Sequence, residues 1–111
     1  MESRGILDKI KTLDELAVVI QALKKKGETV VHCHGVFDLL HPGHIRHFEA
    51  AKREGDILVV TITADEDVDK GPGRPVFNQR LRMEPIASLQ CVDYVATNEW
   101  PTAVKTIQKL K

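Results

Sequence analysis

The sequence predicts an α/β fold with a parallel sheet and helices on both faces. Two segments are typical of strands that are covered on both sides: residues 29–33 are short and β-branched, and residues 57–63 are nearly all apolar. Residues 42–53 lie between them with a helical composition, and Gly55 follows as a stop. Strand, helix and strand in this order predict a right-handed crossover between parallel neighbours.

An amphipathic helix is predicted before the first strand, over about residues 12–26. Thr12 and Glu15 form a T-x-x-E capping box at its start, and Lys26 and Gly27 supply a terminal cation and a glycine stop. The apolar positions that recur at helical spacing are Leu13, Leu16, Ala17, Ile20 and Leu23.

The second half of the chain continues the alternation. Residues 64–77 carry Asp, Gly and Pro without periodicity, which predicts an exposed loop. Asn78 is expected to cap a third helix that runs to Leu89, with a kink or a delayed start because of Pro85. A short strand at residues 94–96 and a helix at residues 102–110 follow. No strand receives that last helix, so the single domain of residues 1–111 is expected to be incomplete at its C-terminal end.

Composition limits the classes of function. The 111 residues include 16 Lys and Arg against 16 Asp and Glu, which gives no broad attraction to nucleic acid or to an anionic membrane. A hydrophobic share of 42% argues against intrinsic disorder. No apolar run is long enough to span a membrane and the start lacks a secretory signal, so a cytoplasmic location is expected. Cys33 and Cys91 are expected to be free, buried thiols.

The most informative stretch follows the first strand and enters the next helix. A helix N-terminus at the carboxyl end of a parallel strand offers N–H groups and partial positive charge to an anion. His41 and His44 are three residues apart across this helix start, so both imidazoles are predicted to lie on one face. Pro42 presets a helical φ, and Gly43 is expected to leave room for a phosphate. The residues 35–44 therefore predict a polyphosphate site.

These ten residues resemble the G-x-F-D-x-x-H-x-G-H signature of the cytidylyltransferase-like nucleotidyltransferase superfamily. The resemblance extends from about Lys9 to Lys111 and looks strongest to the adenylyltransferase domains of ADP-heptose synthases. It implies a Rossmann-like fold that transfers a nucleoside monophosphate from ATP or CTP to a phosphorylated sugar or alcohol and releases pyrophosphate with Mg²⁺. The implied partners are a nucleoside triphosphate, a phosphorylated small molecule and a second copy in a homodimer, with no nucleic acid and no membrane.

The resemblance also implies roles for individual residues. The residues that it assigns to catalysis are His41, His44, Lys70 and Arg82. The residues that it assigns to nucleotide binding are Gly35, Val36, Phe37, Asp38, Gly43 and Asp65. No metal site made of protein ligands alone is implied, because Mg²⁺ would arrive on the triphosphate with Asp38 beside it. Direct in-line displacement at the α-phosphorus needs no covalent intermediate and, with an anionic nucleophile, no general base.

Two departures and two alternatives accompany this interpretation. Pro85 stands where relatives usually carry an aliphatic residue. The family's later strand, its Lys-Gly-containing stretch and its Ser/Thr-rich helix start do not occur before Lys111, so weak nucleotide binding with slow turnover or none is expected. One alternative is a non-catalytic nucleotide-binding or subunit-interface domain. The other is a metal-binding module, since His32 with His34 and His44 with His47 form pairs on single faces of a strand and a helix.

Overall fold

A computed structural model describes residues 5–68 and 77–98 of the chain. The elements in chain order are α1 (Ile6–Lys9), α2 (Leu13–Lys25), β1 (Val30–Gly35), α3 (Pro42–Lys52), β2 (Ile57–Thr63), α4 (Gln79–Ala87) and β3 (Tyr94–Asn98). One turn of 3-10 helix, Asp65–Asp67, follows β2.

The three strands form one parallel sheet in the order β1-β2-β3. Strand β2 lies in the centre, and six of its seven residues are buried, as the continuous apolar run predicted. Because all strands point the same way, the C-terminal ends of β1, β2 and β3 lie at one edge of the sheet, here called the carboxyl edge. The predicted α/β, Rossmann-like fold is confirmed.

Helices cover both faces of the sheet. Alternate strand residues point to opposite sides, and the buried side chains fall accordingly into two apolar clusters. The cluster under α2 consists of Leu13, Leu16, Ile20, Val59 and Ala96. The cluster under α3 and α4 consists of Cys33, Phe48, Leu58, Val60, Ile62, Met83, Ile86, Ala87, Val92 and Val95.

The helix boundaries follow local signals closely. Thr12 and Glu15 form the predicted capping box of α2, with the Glu15 N–H donating to Thr12 Oγ1 at 3.1 Å and the Thr12 N–H donating to Glu15 Oε1 at 2.9 Å. Asn78 caps α4 by accepting the Leu81 N–H at 2.9 Å. Pro85 does not delay the start of α4, because it lies in the last turn, where only the Leu81 carbonyl loses its helical donor.

One part of the fold has no counterpart in the sequence analysis. The segment before α2 contains the single turn α1, and Ile10 then forms a parallel bridge to Val95 of β3. The Lys11 N–H donates to the Val95 carbonyl at 2.9 Å. The N-terminal segment therefore runs beside β3 toward the carboxyl edge before α2 begins.

Three further expectations concern the cysteines, the last predicted helix and the absence of a membrane span. Cys33 and Cys91 are free as predicted, although only Cys33 is buried and Cys91 is partly exposed. The predicted helix at residues 102–110 lies outside the described residues. Among the helices that the structure describes, none is long and apolar enough to cross a membrane.

Candidate functional site

The turn that leaves β1 has an unusual backbone. Phe37 has a φ of 49°, in the left-handed region that bulky residues rarely adopt. Its ring folds back over Gly35, where an added Cβ would lie only 2.7 Å from Phe37 Cζ. The same ring makes edge contacts with His44 and Phe48, at centroid distances of 5.3 and 5.0 Å. Gly35 and Phe37 together thus fix the path of the turn and support one of the motif histidines.

His41 and His44 come together at the start of α3. Their rings are stacked with centroids 3.9 Å apart and an angle of 30° between the planes. His41 Nδ1 accepts the Gly43 N–H at 3.0 Å, and His44 Nδ1 accepts the His41 N–H at 3.3 Å. A neutral imidazole that accepts at Nδ1 carries its proton on Nε2. The hydrogen-bond network therefore assigns an Nε2–H donor to each ring.

The reason for glycine at position 43 differs from the one expected. A Cβ on Gly43 would lie 2.7 Å from Cε1 and 3.0 Å from Nδ1 of His41. The space that glycine leaves is thus occupied by the His41 ring itself. Gly43 permits the close approach of this ring to the backbone, which is the approach that allows His41 to accept the Gly43 N–H.

Asp38 lies in the same turn and is 8% exposed. Its Oδ1 accepts the backbone N–H of Phe77 at 3.0 Å. Phe77 comes immediately before the N-cap of α4. Asp38 thus joins the turn after β1 to the start of α4.

Arg82 is the most buried charged side chain of the site, with its side chain 0% exposed. Its Nε donates to the Phe77 carbonyl at 3.1 Å, and one terminal nitrogen donates to the Val36 carbonyl at 3.0 Å. The other donates to Asp65 Oδ1 at 2.7 Å. These four residues are called the arginine cluster below. Arg82 connects the segments that follow β1 and β2 with the segment that precedes α4.

A second histidine pair lies on the α2 face of β1. His32 Nε2 and His34 Nδ1 lie 2.7 and 2.8 Å from the same hydroxyl, Thr61 Oγ1. Burial, and secondarily the charge of His34, lowers the pKa of His32 to about 4. Burial also lowers the pKa of His34. The sequence showed that these two histidines share a face, but it gave no sign that Thr61 joins them.

The structure does not bring the two histidine pairs into one metal site. His47 approaches Cys33, with 3.8 Å between Nε2 and Sγ, whereas His32 and His34 contact Thr61. Within residues 5–68 and 77–98, no group of three or more His, Cys, Asp or Glu side chains has the spacing of a metal site. Lys70, the remaining residue assigned to catalysis, lies outside the described residues.

Comparison with known families identifies the chain. Residues 32–111 match the cytidylyltransferase-like family, which is more than half of the sequence and includes both motif histidines. The chain belongs to the cytidylyltransferase-like family. The turn after β1, α3 and the arginine cluster all lie within the matched residues.

Several relatives are much longer than this chain. It is 41% identical over 105 residues to the bifunctional protein HldE of Geobacter metallireducens. The aligned residues cover 93% of this chain and 21% of the relative. It is 40% identical to HldE of Trichlorobacter lovleyi, over 100% of this chain and 23% of that relative. The chain thus spans about a fifth of the length of these relatives.

A crystal structure supports the same assignment. The lipopolysaccharide core biosynthesis protein of Thermoplasma volcanium superposes on this chain with a TM-score of 0.66 and 32% sequence identity. The superposition covers 75% of this chain and 68% of the other. The shared fold therefore includes most of the cytidylyltransferase-like domain that is described here.

Proposed function

We propose that this chain transfers a nucleoside monophosphate from ATP or CTP to a phosphorylated sugar or alcohol. An anionic phosphate oxygen of the acceptor attacks the α-phosphorus of the triphosphate. The new O–P bond forms as the bond between the α-phosphorus and the bridging oxygen to the β-phosphorus breaks. Pyrophosphate leaves with that oxygen and its electron pair, so the reaction needs no protein nucleophile.

The observation that carries this proposal is the orientation of the two motif imidazoles. Both rings use Nδ1 as an acceptor for backbone N–H groups, which leaves the proton on Nε2. Both rings stand at the first turn of α3, an 11-residue helix whose N-terminus carries partial positive charge. Two N–H donors and a helix N-terminus together suit the charge that develops on a phosphate during displacement.

The other residues of the site have supporting roles in this proposal. The backbone of Gly35, Val36 and Phe37 runs beside the bound triphosphate. Lys70 is proposed to approach the oxygens of the triphosphate. Arg82 acts as a positioning residue, because its three donated hydrogen bonds already go to Val36, Phe77 and Asp65. The Arg82 side chain holds the turn after β1 in place, and His41 and His44 contact the substrate.

The described residues do not form a magnesium site of their own. Asp38 is nearly buried, and one of its oxygens accepts the Phe77 N–H. One carboxylate supplies too few oxygen ligands to hold Mg²⁺ without the substrate. Mg²⁺ is therefore proposed to enter as part of the substrate, bound to the triphosphate, which is how Mg²⁺ commonly reaches phosphoryl-transfer sites.

The proposal is tested by replacing one motif histidine and one neighbour on the same helix. His44→Ala removes a donor at the reacting phosphate and should lower pyrophosphate release by about 10²- to 10³-fold. The dissociation constant for the nucleotide should change little, because the donor acts mainly on the transition state. His47→Ala is the matched control: it removes an exposed imidazole one turn further along α3 and should leave the rate within twofold.

The measurement is single-turnover pyrophosphate release with ATP or CTP, Mg²⁺ and a panel of phosphorylated sugars and polyols. Equal effects of the two variants would contradict the proposal. Nucleotide binding at His41 and His44 without any turnover across the panel would instead favour the non-catalytic nucleotide-binding domain.

A further inference from the structure

A cavity of about 530 Å³ opens at the carboxyl edge beyond β3. One wall is the N-terminal segment before and at the start of α2, and the opposite wall is the start of α4 with the residues that follow β2. The residues that supply polar groups to the lining are Lys11, Thr12, Glu15, Glu66, Gln79 and Arg80. This volume falls within the range of small-molecule sites.

The position of the N-terminal wall follows from the bridge between Ile10 and Val95. Because that bridge is parallel, the chain after Ile10 moves in the same direction as β3, toward the carboxyl edge. Lys11 and Thr12 consequently arrive at the end of β3, where Thr97 also lines the cavity. A segment outside the motif thus reaches the edge of the sheet that carries the motif histidines.

The cavity lies at the same end of the sheet as the motif histidines. Neighbouring strands lie about 4.8 Å apart, so the ends of β1 and β3, two strands apart, are separated by roughly 10 Å. A chain of hydrogen bonds runs from the cavity wall to the turn after β1, which carries the motif histidines at its end. The Asp65 N–H donates to Gln79 Oε1 in the cavity wall, and the Asp65 carboxylate accepts from Arg82, which also holds the Val36 carbonyl.

A second cavity, of about 370 Å³, lies between the turn after β1 and α4 and has a different lining. Five of its residues are apolar: Phe37, Leu40, Phe77, Leu81 and Pro85. Its two charged residues, Asp38 and Arg82, already bond to protein atoms. This cavity offers little to the hydroxyl groups of a polar acceptor.

The charges of the first cavity indicate what it would hold. Lys11 and Arg80 are balanced by Glu15 and Glu66, so the lining carries no net charge. A second phosphate group would gain little there. Hydroxyl groups, in contrast, find ammonium and amide donors and carboxylate acceptors beside apolar side chains such as Leu13 and Met83.

We propose that this cavity binds the hydroxylated body of the acceptor, with its phosphate directed toward His41 and His44. Lys11, Glu66 and Gln79 are then specificity-determining residues, and the N-terminal segment is part of the site. This inference rests on the proposed function, since it assumes that a phosphorylated acceptor must lie beside the nucleotide.

The test is a titration of the ¹⁵N-labelled chain followed by amide chemical shifts. D-Mannose 1-phosphate, D-glucose 1-phosphate and D-ribose 5-phosphate are the acceptor probes, and ATP and CTP with Mg²⁺ are the nucleotide probes. At least one sugar phosphate should shift the amides of Lys11, Thr12, Gln79 and Thr97. The nucleotides should shift those of His41, Gly43 and His44.

Variants separate the two proposals. Lys11→Ala and Gln79→Ala should each raise the dissociation constant of the responding sugar phosphate about tenfold and leave that of the nucleotide unchanged. Lys24→Ala, at the far end of α2, is the control and should change neither. Nucleotide shifts at the histidines, with the cavity silent to all three sugars, would overturn this inference alone. Sugar shifts at the cavity with no nucleotide response would support the cavity site but contradict the transferase proposal.

Discussion

The histidine pair and the arginine cluster lie at the same edge of the sheet and differ in their exposure. His41 is exposed, and Nδ1 of each motif imidazole accepts a backbone N–H of the same helix turn. Arg82 is 2% exposed and bonds to segments up to 46 positions away in sequence. The pair is assembled locally and left open to a ligand, whereas the cluster holds separate segments together.

This difference predicts that the arginine cluster determines the stability of the fold and that the histidine pair determines the reaction rate. A buried guanidinium is stable only while its acceptors are in place, and its removal takes the donor from two partly buried backbone carbonyls. An exposed imidazole can be removed with little loss of packing. Changes in the arginine cluster should therefore act on the free energy of unfolding, and changes in the histidine pair on the reaction rate.

The largest effect is expected from Arg82→Ala. The change leaves the carbonyls of Val36 and Phe77 without a donor and breaks the contact to Asp65, so the free energy of unfolding should fall by about 3 kcal/mol. Urea denaturation followed by circular dichroism measures this. Arg80→Ala, two residues earlier on α4, removes only a solvent-exposed pair with Glu84 and should cost less than about 0.5 kcal/mol. Similar losses in both variants would remove the distinction between the two regions.

The next effect concerns His32, the partly buried histidine of β1. The pKa of His32 is about 4 in the folded chain, below its ordinary value of 6.5. The unfolded chain therefore binds more protons between pH 6.5 and 4, and stability falls as the pH falls through this range, by on the order of 2 kcal/mol. Denaturation curves across this range test the slope against His32→Gln, which cannot titrate. An identical slope in the variant would show that His32 is not responsible.

A smaller effect, on rate alone, is expected from Gly43→Ala. The new Cβ would meet the His41 ring at 2.7 Å and push it from its place beside His44. Alanine is a better helix former than glycine, which offsets the lost contact, so the free energy of unfolding should stay within about 1 kcal/mol. The rate of pyrophosphate release should fall about tenfold. A wild-type rate would mean that the stacked arrangement of the rings is not needed.

The smallest effect is expected from Pro85→Leu. Leucine restores the N–H that the Leu81 carbonyl lacks in α4, and the free energy of unfolding should rise by about 1 kcal/mol. The rate should not change, because Arg82 lies before the proline and already makes its three hydrogen bonds. Thermal unfolding and the pyrophosphate assay check the two parts. A lower rate would show that Pro85 helps to set the position of Arg82.

Most of the fold was predictable because its signals are local. The capping box of α2, the apolar run of β2 and the Asn78 cap of α4 each depend on residues within a few positions of one another, and all three occur in the structure. The parallel order of β1 and β2 followed from the helical segment between them. The proximity of His41 and His44 followed from their spacing at a helix start.

The features that the sequence missed depend on contacts between distant positions. Helix α1 has only four residues, and the bridge from Ile10 to Val95 spans most of the chain, so neither leaves a periodic pattern. The burial of Arg82 depends on a carbonyl in another loop, and a charged residue on a helix gives no local sign of that. The contact between Gly43 and the His41 ring could not be predicted, because the position of that ring follows from its backbone contact.

The central claim is that the turn after β1 holds a triphosphate against the paired imidazoles. A crystal of the chain soaked with CTP or ATP tests it most directly. In the soaked crystal, an α-phosphate oxygen is expected within roughly 3 Å of Nε2 of His41 or His44, at the first turn of α3. A nucleotide bound elsewhere, with both imidazoles free of phosphate, would contradict it.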